Sequence, residues 1–292
     1  MVSNFDSVQD LIEKASKCSI PIYEVVLEEQ AIDMGKSKEE LYNDMARNLE
    51  IMEQSIEKGI KPYVKSQSGL SGGDAYKLQS AFEMGITIGG SMLDKALIKA
   101  LAISEANACM ERIVAAPTAG SCGIIPAVIL TIMEEKNISR DKAVMGLFTA
   151  GGIGMVIAKR ASVSGAQGGC QAECGSASAM AAAALVEMME GTPEMAGHAC
   201  AIALKNVLGL VCDPVAGLVE VPCIKRNAMG AANALVSADL ALAGIKSIIP
   251  VDEVIDAMKS VGNLMMPALK ETAEAGLAAT PTACKLTKHI FS

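Results

Sequence analysis

The chain has 292 residues, 51% of them apolar, and a formal net charge of −8 from 25 Lys and Arg against 33 Asp and Glu. That balance offers no basic stripe for nucleic acid, which is excluded as a partner. The apolar fraction leans on Ala, Met, Ile and Leu, with no Trp, four Phe and four Tyr. Such a mixture favours helices over strands, so an all-α, compact, bundle-like fold with Gly- and Pro-rich loops is expected.

The first 17 residues lack the basic start and apolar run of a signal peptide, which points to a cytoplasmic protein. Leu41, Met45, Leu49, Met52 and Ile56 form one apolar helical stripe, opened by a Ser37/Glu40 capping box and closed by Gly59. Residues 1–60 carry much of the acidity and are expected to form a helical segment packed on the core. From residue 61 to 292 no charged or low-complexity linker divides the chain, and one compact domain is expected. The uncharged stretch Ala143–Ala158 has 16 residues and four glycines. A membrane span needs roughly 20 apolar residues, so a buried core helix is expected and no membrane association. Thr192 before Pro193 and Glu194 is a helix N-cap, the helix running to about Asn206 and ending near Gly209. Val254, Ile255, Met258 and Val261 mark another helix, stopped by Gly262. Glycine- or proline-bearing loops separate such helices at residues 65–77, 116–127, 161–179 and 210–228.

Familiar cofactor loops are absent. The Gly35-Lys36-Ser37 run lacks the earlier glycine of a phosphate loop, and Gly152-Ile153-Gly154 lacks the third glycine of a dinucleotide loop. Two histidines, His198 and His289, are too few for a zinc site. Nine cysteines in a chain without an export signal point to buried thiols, metal ligands or redox groups instead of disulfides. Cys18, Cys109 and Cys200 sit in helical sequence and are expected to be packing residues. Cys170, Cys212 and Cys223 each lie in a Gly- or Pro-interrupted turn, where backbone amides are free to face sulfide or an anion. Three convergent cysteines would suit a cubane cluster with one open iron, although their spacing matches no generic metal rule.

The segments GGCQAECGSASAMAAAALVE, NVLGLVCDPVAGLVEVPCIKRNA, PTAGSCGIIPAVI and SGLSGGDAYKLQ resemble signature segments of the α chain, or catalytic domain, of iron–sulfur L-serine dehydratases. The resemblance runs from about Lys61 to the C-terminus, making residues 61–292 a catalytic iron–sulfur domain. It implies a 4Fe–4S cluster held by Cys170, Cys212 and Cys223. The last 22 residues resemble the family's tail, which implies that Cys284 occupies the fourth iron until substrate displaces it. Cys122 and Cys174 are not implied as ligands. The chain lacks the regulatory domain of single-chain members, so the two-chain type is expected, with a separate β subunit in a heterodimer or higher assembly.

The implied reaction removes a Cα proton and the β-hydroxyl of L-serine, giving pyruvate and ammonia. A base must reach that proton, and Lys65, Lys77, Glu173 and His198 are candidates. Hydroxyls and free amides at Ser66, Ser68, Gly69 and Ser71, with Pro117, Thr118 and Gly120, are candidates for holding the substrate carboxylate. Two other readings stay open: an iron–sulfur cysteine desulfidase on a related helical scaffold, and a cluster-binding protein without turnover. A pyridoxal-phosphate enzyme is disfavoured, because no Ser-x-Lys setting precedes a glycine-rich phosphate loop.

Overall fold

The computed structural model describes residues 5–292. Thirteen α-helices make up its framework: α1 (Val8–Cys18), α2 (Ile22–Met34), α3 (Lys38–Gly59), α4 (Asp74–Glu83) and α5 (Gly90–Ala108) come first. Then follow α6 (Ile124–Glu135), α7 (Arg140–Arg160), the single turn α8 (Gly165–Gly168), α9 (Ser176–Met188) and α10 (Pro193–Lys205). The chain closes with α11 (Cys223–Leu242), α12 (Val251–Leu264) and α13 (Pro281–Ile290). Among the described residues there is no strand, only an isolated parallel bridge between Cys212 and Lys270.

Helix α9 is the hub. Its sequence, SASAMAAAALVEM, is buried at every position but one. Alanine carries the highest helix propensity and almost no side-chain bulk, so neighbours close on every side. α6, α7, α10 and α11 all pack against it. Helices α1 to α3 lie outside this layer, and their apolar residues Val8, Leu11, Val26, Leu49 and Met52 join the same buried cluster. By length and composition α7 is long enough to cross a membrane, yet 67% of its most apolar window is buried inside this fold. Close approach recurs elsewhere: a Cβ on Gly59 of α3 would overlap the Ala102 carbonyl of α5.

Local signals place several boundaries. Ser37 and Glu40 form the capping box of α3 as expected, and Thr192 caps α10 through the Met195 amide. Gly262 does not stop α12, which runs on to Leu264. Its missing side chain serves contact instead, since a Cβ there would stand 3.1 Å from the Gly168 Cα. The loop expected over residues 161–179 is also shorter than its glycines imply. A π turn, Gln171–Gly175, leads straight into α9.

Other helix ends are closed by partners distant in sequence. Pro21, at the N-cap of α2, has no capping side chain; Glu187 of α9 accepts the Ile22 and Tyr23 amides and the Thr149 hydroxyl. Gly73 begins α4, and Glu105 of α5 accepts the Asp74 amide at 2.8 Å and the Ala75 amide at 3.3 Å. Asp252 of α12 accepts the Val8 and Gln9 amides of α1 at 2.9 and 3.0 Å. These carboxylates satisfy orphan amides and face the positive ends of helix dipoles. Burial raises the Glu105 and Glu187 carboxyls above their ordinary range, with the accepted hydrogen bonds opposing it. Glu105→Ala strands two buried amides and is expected to cost about 1–3 kcal/mol in a urea melt. An unchanged midpoint would show that water caps α4 equally well.

Candidate active site

The loop between α7 and α9 carries the first thiol. Gly169 takes φ +79, and a Cβ there would press on Met265 and the Leu210 carbonyl. Glycine lets residue 170 turn inward against the 210 segment, where the Gln171 amide donates to Leu210 O at 2.9 Å. The Gln171 side chain fixes the turn further, donating to Met258 O and accepting from the Gly209 amide. Cys170 is thereby buried at the entrance to α9.

Cys212 follows in the 210 segment. Its amide donates to Leu269 O at 2.9 Å and its carbonyl accepts the Glu271 amide at 2.7 Å, so the C-terminal stretch forms half of its setting. Cys223, the third thiol, opens α11 directly after Pro222. All three are buried and free of disulfides. Arg226, one turn beyond Cys223, donates to Val211 O at 2.8 Å and to Asp213 Oδ1 at 2.9 Å. Those acceptors flank Cys212, and the Arg226 charge also acts on the Cys170 thiol.

The electrostatics tie these groups into one site. Cys174, whose sulfur lies 3.4 Å from that of Cys170, and Arg226 together hold Cys170 below an ordinary thiol despite its burial. Burial pushes Cys212 well up, with the charges of Cys170 and Glu173 adding to it. Burial likewise takes Cys223 up to about 12. Glu173 stands in their midst. Its carboxylate accepts the Thr118 hydroxyl at 2.8 Å. A Cβ on Gly120 would stand 3.1 Å from that carboxylate, and one on Gly165 would stand 2.8 Å from it and 3.0 Å from the Cys212 sulfur. Two bare glycines therefore let the backbone approach Glu173 and the Cys212 sulfur closely. Burial raises the Glu173 carboxyl, and the Thr118 hydrogen bond pulls against it.

Of the four base candidates, only Glu173 sits among the cysteines. Lys77 is exposed and paired with Asp74 at 2.9 Å, and Lys65 is exposed in the 65–71 loop. His198 accepts the Ser247 amide and lines a cavity of about 500 Å³ between α1, α10 and the loop before α12. No cysteine lines that cavity. The candidate anion cradles divide in the same way. Thr118 and Gly120 adjoin Glu173, next to Pro117, whose peptide bond is cis. The other loop turns through Gly69, with Ser66 and Ser68 hydroxyls 3.1 Å apart. Its Ser68 and Ser71 hydroxyls already have a carboxylate partner, donating to the two oxygens of buried Glu220 at 2.8 and 2.5 Å. Cys284 is exposed on α13, apart from the three buried thiols. Cys122 is buried, its thiol raised to about 12 by desolvation.

Sequence reasoning passed over Glu220, Arg226, Asp213 and Asn227. Asn227 accepts the Gly123 amide and donates to Gly120 O and Cys223 O, joining the 116–124 turn to α11. The available signal was spacing: Arg226 follows Cys223 by one helical turn, and Asp213 is adjacent to Cys212.

Among the described residues no three His, Cys, Asp or Glu side chains are close enough to share a single metal ion. A cubane makes a different demand, taking one thiolate at each of its irons. Three buried free thiols from separate turns, with a guanidinium nearby, fit that demand.

The fold is thus all-α, and it buries three free cysteines near one carboxylate. The chain belongs to the serine dehydratase alpha chain family, whose profile matches residues 17–278, and is a lyase. It is 53% identical over 287 residues to the probable L-serine dehydratase alpha chain of Bacillus subtilis (strain 168), covering 98% of this chain and 95% of that protein. The L-serine dehydratase alpha chain of Peptoniphilus asaccharolyticus is 46% identical over 286 residues, covering 98% of each. The L-serine dehydratase of Mycobacterium tuberculosis is 47% identical over 184 residues, 61% of this chain and 40% of that longer protein. Cys284 lies beyond the span of the family profile.

The site generates a signed prediction. Thr118 favours the ionised form of Glu173, so Thr118→Val should move the Glu173 midpoint to higher pH. Infrared difference titration against Glu173→Gln reads this directly, and a downward shift would contradict the arrangement.

Proposed function

We propose that this chain, joined to a separate β chain in the cytoplasm, converts L-serine to pyruvate and ammonia with a 4Fe–4S cluster held by Cys170, Cys212 and Cys223. The observation that carries the reading is the burial of those three thiols around Glu173 and the bare glycines Gly120 and Gly165. The names of the relatives support the reaction and, through the words alpha chain, the missing partner. When bound, the cluster supplies a Lewis-acidic iron that stabilises the negative charge developing on the leaving hydroxyl oxygen.

The chain's own residues supply the rest. Glu173 accepts the Cα proton, its basicity raised by burial and its orientation fixed by Thr118. The turn through Pro117, Thr118 and Gly120 holds the substrate against it. The loop through Ser66, Ser68, Gly69 and Ser71 closes the neighbouring wall, positioned by Glu220. Loss of the Cα proton and the β-hydroxyl leaves aminoacrylate and water; tautomerisation and hydrolysis then give pyruvate and ammonia. Because Glu173 must be ionised, activity is lost as pH falls through its raised pKa. The acid limb of kcat/KM therefore stands above the ordinary carboxylate range.

Anaerobic reconstitution with iron and sulfide, with and without the β chain, followed by pyruvate and sulfide assays on L-serine and L-cysteine, tests the assignment. Pyruvate from serine is expected; sulfide from cysteine as the main product would replace it with a desulfidase. Cys170→Ala, Cys212→Ala and Cys223→Ala should each lose the brown chromophore together with activity, whereas Cys284→Ala should keep the chromophore. Glu173→Gln should retain the chromophore and lower kcat by about 10²–10⁴-fold. Full activity in Glu173→Gln would remove it as the base.

A further inference from the structure

One side chain ties two of the cysteine segments together. Arg226 stands on the first turn of α11, three residues after Cys223. One arm of its guanidinium donates to the carbonyl before Cys212, and the other to the carboxylate after it. Its positive charge also helps to hold the Cys170 thiol below an ordinary one. Its salt-bridge partner is almost wholly enclosed, with side-chain exposures of 14% for Arg226 and 4% for Asp213. Asp213 is fully engaged as well, for its second oxygen accepts the Leu277 amide at 2.7 Å. A Cβ on Gly276 would press on Asp213, so the tail is seated closely against the pair.

We infer that Arg226, held by Asp213, is the positioning residue that fixes the Cys212 segment against the Cys223 turn so that the cysteines are set for the cluster. The inference rests on the proposed cluster reading. Its geometric basis is specific to arginine. A planar fork reaches the Val211 carbonyl and the Asp213 carboxylate at once, whereas a lysine ammonium on a flexible stem does not hold both directions. Ligand orientation by partners behind the ligands governs metal retention, and the charge around a cluster governs its reduction potential. Arg226 is placed to act on both. It places one positive charge near thiols that carry negative charge when they bind iron.

The test uses the full chain, reconstituted anaerobically with ferrous iron and sulfide. Two variants are compared with the parent: Arg226→Lys, which keeps the charge and loses the fork, and the double variant Arg226→Met with Asp213→Asn, which leaves no buried charge unpaired. Far-UV circular dichroism and thermal melting establish that each is folded. Iron and sulfide per chain, the rate of iron loss to a chelator, and the midpoint potential of the cluster are then measured. Arg226→Lys is expected to fold and to lose iron about tenfold faster. Its cluster potential should shift, because the guanidinium charge is no longer held in place beside Cys170. The double variant should fold and retain still less iron. Folded variants that match the parent in iron retention within about twofold, with an unshifted potential, would overturn the inference while leaving the cluster itself standing. A parent chain that takes up no iron would instead overturn the cluster reading, and this inference with it.

Discussion

Burial of α9 on all sides is the constraint from which the site follows. A helix surrounded by α6, α7, α10 and α11 has room for little beyond methyl groups, and the run of alanines from Ala181 to Ala184 meets that limit. The consequence lies at its N-terminus, which ends inside the protein instead of at its surface. Whatever precedes Ser176 must therefore turn within the interior, and the π turn over Gln171–Gly175 does so. Cys170, immediately before that turn, and Glu173 and Cys174, on it, are buried or half-buried for this reason. A bulkier α9 would push its neighbours apart and carry the 210 segment away from Cys170.

Such an interior has to accommodate polar backbone as well. Glu187, Glu105, Asp252 and Asn227 each reach from one helix to the amides that begin another. Desolvation disfavours the charged form of Glu105 and Glu187, and the amides they accept offset part of that cost. Glu173 has a similarly buried setting but accepts a side-chain hydroxyl, that of Thr118. A carboxylate that closes a helix has its lone pairs occupied by backbone amides, whereas Glu173 packs against the bare glycines Gly120 and Gly165.

The helices whose ends are written locally were legible in the sequence. Ser37 with Glu40, and Thr192 with Pro193, place their N-termini through contacts within one turn. The three cysteine turns were legible through their glycines and prolines and through family resemblance. Gly262 misled because its role is tertiary: it admits Gly168 and does not end α12. Glu105 and Glu187 were illegible for the same reason, since each cap joins residues far apart in the chain. Ser68 and Ser71 looked like open hydroxyls from their own loop, and only the fold brings Glu220 to them. Arg226 was the costliest omission. Its one-turn spacing from Cys223 could be read directly, but its grip on Val211 and Asp213 required the meeting of α11 with the 210 segment.

The tail shows why the central helices are insufficient to make the site. Cys212 is buried, yet both of its backbone groups pair with the stretch Leu269 to Glu271. Leu277 then satisfies an oxygen of Asp213, and α13 packs on the turn Val215–Gly217. Without that stretch, an amide and a carbonyl beside a buried thiol would have to find water, and Asp213 would lose its amide partner. Each such loss carries a desolvation cost of about 1–3 kcal/mol, enough to favour a different path for the 210 segment. The position of the Cys212 thiol is therefore set by residues nearly sixty positions downstream as well as by its own loop. Order in the C-terminal stretch and assembly of the three-cysteine site are consequently one event, not two.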